Sequence, residues 1–150
     1  MEMNESERWA KRGDMAKLGI SALQFMVGQW HGHGTSHGQP VTATLVVSPQ
    51  LDGTWLPACE TLMDSDGTPE HTDLSYYRYD PEGERLEVLH LMDHATLHRH
   101  PVEPVGNALH WITGPGAPRL AIIPQASGFR MEVQFPTDAA PVVAIDYKPA

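Results

Sequence analysis

From Gly28 onward the chain never runs far beyond ten residues without a turn signal, and this spacing limits what it can fold into more than any other feature. The signals are Pro40, Pro49 to Gly53, Asp64 to Pro69, Asp80 to Glu84, Asp93-His94, Pro104 to Asn107, Gly114 to Pro118, Ala126 to Gly128 and Pro136 to Pro141. Between them the polarity alternates. Phe129, Met131, Val133 and Phe135 fall on one side and Arg130, Glu132 and Gln134 on the other, the period of a half-buried strand. Val41 to Val47, Thr54 to Met63, His71 to Tyr79, Arg85 to Met92, Thr96 to Val102, Ala108 to Thr113, Leu120 to Pro124 and Val142 to Tyr147 read the same way. Together with a strand after Trp30, these segments predict an all-β fold of about 8–10 short antiparallel strands in hairpin sequence. Closing such a meander into a barrel removes its unpaired edges. A helix bundle is excluded by 13 Gly and 13 Pro, which break helix interiors.

The first 27 residues differ. From Asn4 or Ser6 to about Leu18, charged residues surround Trp9, Met15 and Leu18 in a pattern that predicts a short amphipathic helix. Ser21 is then expected to cap a second turn, Ala22 to Met26, that ends at Gly28. At 150 residues the expectation is a single domain, residues 1–150, with residues 1–27 capping the barrel. A formal charge of −9 disfavours nucleic-acid and anionic membrane partners. Cys59 is the sole cysteine, so an internal disulfide or a thiolate zinc cluster cannot form. The N-terminal segment has no apolar signal region, which makes the cytoplasm the expected location.

Leu23-Gln24-Phe25-Met26-Val27-Gly28-Gln29-Trp30 runs a helical turn into Gly-x-Trp at the start of the first strand. This resembles the opening of lipocalins and other calycins, and the resemblance implies that Trp30 plugs the closed end of a barrel. Leu51-Asp52-Gly53-Thr54-Trp55-Leu56, Gly67-Thr68-Pro69 and Tyr79-Asp80-Pro81 follow in order, with Leu86 opening the next strand. That order, from Leu23 to about Phe135, is similar to a bacterial calycin-like family of unknown function. Gly28-Gln29-Trp30-His31-Gly32-His33-Gly34 also resembles the opening of nitrobindin-type haem-binding barrels. Those barrels take their haem ligand from a histidine near the C-terminus, whereas no histidine follows His110 here.

Strand parity nominates the site. If Trp30 points inward, Gly32 and Gly34 share its side and are expected to leave volume inside, with His31, His33 and His37 on the outer face. Leu86 and Val88 read as core, so His90 and Met92 should face inward with them. A three-residue loop, Asp93 to Ala95, would set His98 opposite His90 and turn His98 and His100 inward too; a two-residue turn would set His98 opposite Leu89. Tyr77 and Tyr79 share parity and can offer hydroxyls to a ligand, and Trp111 reads as inner wall. Trp55 is placed near a barrel mouth. Most carboxylates sit in turns, but Glu60 and Asp73 lie on strands, where an inward orientation would matter. Cys59 and the serines have no nucleophile context, and no phosphate-binding glycine loop is present.

The function expected from these features is binding of a small hydrophobic or aromatic molecule in the barrel, through Gly32, Gly34, Tyr77, Tyr79, His90, Met92, His98 and Trp111, with no cofactor. One alternative is a cofactor-independent isomerase or cyclase using His90, Tyr77 and Tyr79 as acid-base groups. Another is a metal or haem protein ligated by His90, His98 and His100. An exposed strand face would permit a homodimer, and nothing in the sequence decides it.

Overall fold

The structure is a computed structural model that describes residues 2–91 and 96–150; of Leu18 it describes the backbone alone. Among the described residues, α1 (Glu5–Ile20) leads into a 3-10 turn (Ser21–Met26) and then into ten strands. These are β1 (Gly28–Ser36), β2 (Gln39–Val47), β3 (Trp55–Met63), β4 (Pro69–Asp80) and β5 (Arg85–Leu91). They continue with β6 (Leu97–Val105), β7 (Ala108–Trp111), β8 (Arg119–Gln125), β9 (Gly128–Gln134) and β10 (Val143–Pro149). Each strand pairs antiparallel with the next, and β1 pairs with β10, so the meander closes into a barrel with no free edge. No helix of the described residues is long and apolar enough to cross a membrane.

Local chemistry explains the start of the chain. Asn4 Oδ1 accepts the Glu7 backbone N–H at 2.8 Å, and Glu7 Oε2 accepts that of Asn4 at 3.0 Å, a reciprocal capping box that begins α1. Ser21 is not the cap of the second turn. It is the first residue of the turn, and Ile20 holds the cap position with no side-chain cap bond. The first hairpin turns at His37-Gly38, both at positive φ (50° and 79°), two residues before the expected signal at Pro40.

Alternation along the strands builds the core. On β2, Val41, Ala43, Leu45 and Val47 are buried, and Leu56, Val88, Ile122, Phe129, Ile145 and Tyr147 meet them from other strands. By the alternation of the meander, connections 48–54, 81–84, 106–107 and 126–127 gather at one end. Lys17 reaches Asp52 at 2.5 Å and Arg12 reaches Glu82 at 3.5 Å, which sets α1 at that end. Both ion pairs are largely exposed, so solvent screens them and they position α1 more than they stabilise it. Connections 37–38, 64–68, 112–118 and 135–142 gather at the opposite end.

The closed end is filled differently from the expectation for Trp30. Ile20, Leu23 and Met26 of the helical segment are buried there, against the buried rings of Phe129 and Tyr147. Trp30 is half-buried at the rim: its indole N–H donates to the Met26 carbonyl at 2.7 Å, and its ring meets Phe129 edge-on at 4.8 Å. On the outer face, Glu87 is only 1% exposed because Arg78 (2.5 Å) and Arg99 (2.7 Å) both close on it. Burial alone would push its carboxyl up, but hydrogen bonds from Arg99 and Arg78 hold it below the usual carboxylate range.

Candidate functional site

The interior of the barrel holds a cavity of about 380 Å³. Met26 and Leu45 lie toward the α1 end, whereas Thr113, Ala117 and Pro118 line it from the 112–118 connection, which marks its mouth. The register shows where the space originates. Ala58 on β3 pairs with Ser75 on β4, Ser75 with His90 on β5, and His90 with His98 on β6. Ala58 and Ser75 carry the smallest side chains of this belt, so the wall is hollow at that level. One step toward the closed end lies the belt Leu56, Tyr77, Val88 and His100; one step toward the mouth, Glu60 faces Asp73.

The cavity therefore has two unlike sides. Leu120 on β8, Met131 and Val133 on β9, Val143 on β10 and Leu45 on β2 make an apolar surface. The polar groups stand on β3 to β6. His71 Nε2 lies 2.9 Å from Asp73 Oδ2, and His90 Nε2 lies 3.6 Å from the same oxygen. The Tyr147 hydroxyl, reaching across from β10, donates to Glu60 Oε2. Trp111 Nε1 donates to the Tyr77 hydroxyl at 3.2 Å, while the Trp111 ring meets His90 edge-on at 5.0 Å and His100 face-on at 6.0 Å.

Burial sets the electrostatics. Withdrawal from water, reinforced by the charge of Asp73, raises the Glu60 carboxyl to about 7, with the Tyr147 hydroxyl, His71 and His90 partly offsetting the rise. Burial likewise pushes the Tyr77 and Tyr147 hydroxyls well above their ordinary range, so both are neutral donors at physiological pH. His100 is lowered by burial and then by His98 and His90, which favours the uncharged imidazole. The result is a set of acid-base groups in an apolar enclosure, with one carboxyl poised between its two forms.

The sequence-nominated residues divide. Tyr77, His90, His98, His100 and Trp111 line the cavity. The observed register sets His98 opposite His90. Met92 and the connection Asp93 to Ala95 lie outside the described residues. Tyr79 stands elsewhere than expected: a methyl group on Gly19 would lie 2.2 Å from its ring, so α1 packs directly upon it. With Trp9, Trp55 and Arg78 it lines an outer groove, and Arg78 stacks over Trp55 at 5.5 Å. Trp55 belongs to that groove, at the end opposite the mouth.

Gly32 and Gly34 open no volume either. Gly32 faces inward, but a Cβ there would sit 2.6 Å from Ile145 and 2.8 Å from Tyr147, which occupy the space. At Gly34 a Cβ would sit 1.8 Å from the Ala144 carbonyl oxygen, so this glycine allows β1 and β10 to approach. A leucine at Gly34 would part the strands, and one at Gly32 would have to displace the Ile145 and Tyr147 side chains, so neither would simply block a cavity.

His31, His33 and His37 are exposed on the outside, and so is Cys59. Two residues of the polar wall were not singled out from sequence. His71 shares the parity of Tyr77, Ser75 and Asp73, a signal that was readable. Tyr147 becomes a site residue only through the pairing of the last strand with the first, for which the sequence carries no local signal.

Among the described residues no three His, Cys, Asp or Glu side chains converge in an arrangement that could hold a metal ion. The parallel stacking of His98 on His100, 6.0 Å apart, places these rings side by side. Compared with models of known protein families the chain matches none, and no curated protein is significantly similar to it.

Proposed function

We propose that this chain is a calycin-like barrel that binds a small, largely apolar or aromatic molecule in its cavity. The observation that carries this reading is a 380 Å³ enclosure, within the usual size of ligand sites, with one apolar side and one side of convergent polar groups. Apolar contact with Leu120, Met131, Val133 and Val143 supplies affinity, and burying about 300 Å² of ligand surface is worth about 7 kcal/mol before the cost of association. Tyr77, His90 and the Glu60–Asp73 pair fix orientation. The order of motifs from Leu23 to Phe135 and the helix before β1 agree with the calycin resemblance.

Native mass spectrometry against a mixed panel tests the reading. Two-ring aromatic compounds are expected to give one-to-one adducts, whereas sugars and nucleotides of similar mass are not. Retention of the polar compounds alone, or of none, would contradict it.

A further inference from the structure

Three belts of the inner wall place a hydrogen-bond donor, a gap and a base in sequence. In the first, Tyr77 accepts the Trp111 N–H, and among the described residues no acceptor takes its own proton. In the second, Ala58 and Ser75 leave the hollow. In the third, Glu60 gives one oxygen to the Tyr147 hydroxyl, and among the described residues no hydrogen-bond donor reaches Oε1. Since no buried polar side-chain atom among the described residues lacks a partner, Oε1 is open to the cavity that Glu60 lines. Tyr77 and Asp73, the cross-strand neighbour of Glu60, are four residues apart on β4, about 13 Å of strand, which two long side chains and a small ligand can bridge.

We propose that the cavity carries out cofactor-independent proton transfer on a hydrophobic ketone or aldehyde, with Tyr77 holding the carbonyl oxygen and Glu60 taking the proton from the adjacent carbon. The inference rests on the binding reading above. In the step, Glu60 Oε1 forms a bond to the proton as the C–H bond breaks. That electron pair forms the carbon–carbon double bond of an enolate, and the carbonyl π pair moves onto oxygen. The negative oxygen accepts the Tyr77 hydrogen bond, strengthened by the N–H that Trp111 gives to Tyr77. Return of the proton to the same carbon exchanges it with solvent; return to a conjugated carbon shifts the double bond. Neither outcome needs an oxidant or reductant.

The groups facing Glu60 suit this role. Asp73 and His71 come from β4, His90 from β5 and Tyr147 from β10, while β2 presents Leu45. Between them they hold the carboxyl where it can both accept and return a proton near neutrality.

The test is hydrogen–deuterium exchange of 2-tetralone, followed by proton NMR in D2O at saturating probe so that differences in affinity drop out. The folded protein is expected to accelerate loss of the proton signals beside the carbonyl by about a hundredfold over buffer. Glu60→Gln should return the rate to within about twofold of buffer, and Tyr77→Phe should lower it at least about tenfold, with the barrel intact by circular dichroism. Tetralone bound without acceleration, or acceleration that survives Glu60→Gln, would overturn the inference and leave the binding reading standing. So would binding of a neutral aromatic dye without tetralone; failure of both to bind overturns both.

Discussion

Phe129→Ala is expected to cost about 3–5 kcal/mol, the largest loss of any single truncation considered for this barrel. Phe129 is 0% exposed and is the ring on which the others converge. It stacks on Tyr147 at 5.2 Å, and meets Trp30 edge-on at 4.8 Å and Phe25 edge-on at 5.9 Å. These contacts tie the 3-10 turn, β1, β9 and β10 together where the chain's two ends close the barrel, so alanine would leave a void that no single element can fill. Trp30→Ala should cost less, about 1–3 kcal/mol, because Trp30 is half-exposed and loses one hydrogen bond rather than a core position. Denaturant titration of both variants checks the order. A larger loss at Trp30 would restore that residue as the plug.

Glu60→Gln is expected to stabilise the protein above neutral pH by about 1–3 kcal/mol and to change little below pH 5. The carboxyl, near 4.5 in the unfolded chain, is raised to about 7 in the fold, first by burial and then by Asp73. Between those values the native chain keeps a proton that the unfolded chain has released, so stability falls as pH rises through the window. Above about 7 the cost is complete, with an upper bound of about 3 kcal/mol that is reduced by the hydration the cavity leaves to the side chain. Glutamine cannot ionise and still offers the Tyr147 hydroxyl an acceptor. Denaturation midpoints at pH 5 and pH 8 measure the difference; an equal shift at both, or destabilisation at pH 8, would show that Glu60 is not held in this way.

Much of the barrel was legible because its signals are local. Period-two alternation and turn chemistry placed the strands, and the Asp80 to Arg85 hairpin could be registered from sequence, with Tyr79 opposite Leu86. Parity also assigned the inward faces of Tyr77 and His90. What it could not supply is what lies across a non-local ladder. Gly32 does face inward, but its neighbour is Tyr147, 115 positions later, and that ring takes the space the glycine vacates. Tyr79 keeps the parity of Tyr77, yet at the end of β4 its side chain meets α1. The register of β5 with β6 was open because one residue in a short loop decides it. The Glu60–Asp73 pair was noticed as two strand carboxylates, but its meaning came only when Tyr147 and the histidines were seen to converge on it.

Titration with an environment-sensitive aromatic dye, monitored by fluorescence, tests most directly whether the barrel interior is the binding site. The wild-type chain is compared with Ala58→Phe and Val133→Phe, which fill the cavity from β3 and β9, and with His33→Ala and Trp9→Ala on the outside. Trp9 is 65% exposed beside the outer groove, so its removal reports on binding there. The expected result is saturable one-to-one binding that falls at least about tenfold in both filled variants, with the strand content kept, and is unchanged in the two outer ones. Affinity that survives both filled variants and is lost with Trp9→Ala would place the ligand in the groove between α1 and the barrel, and would contradict the assignment of function to the cavity.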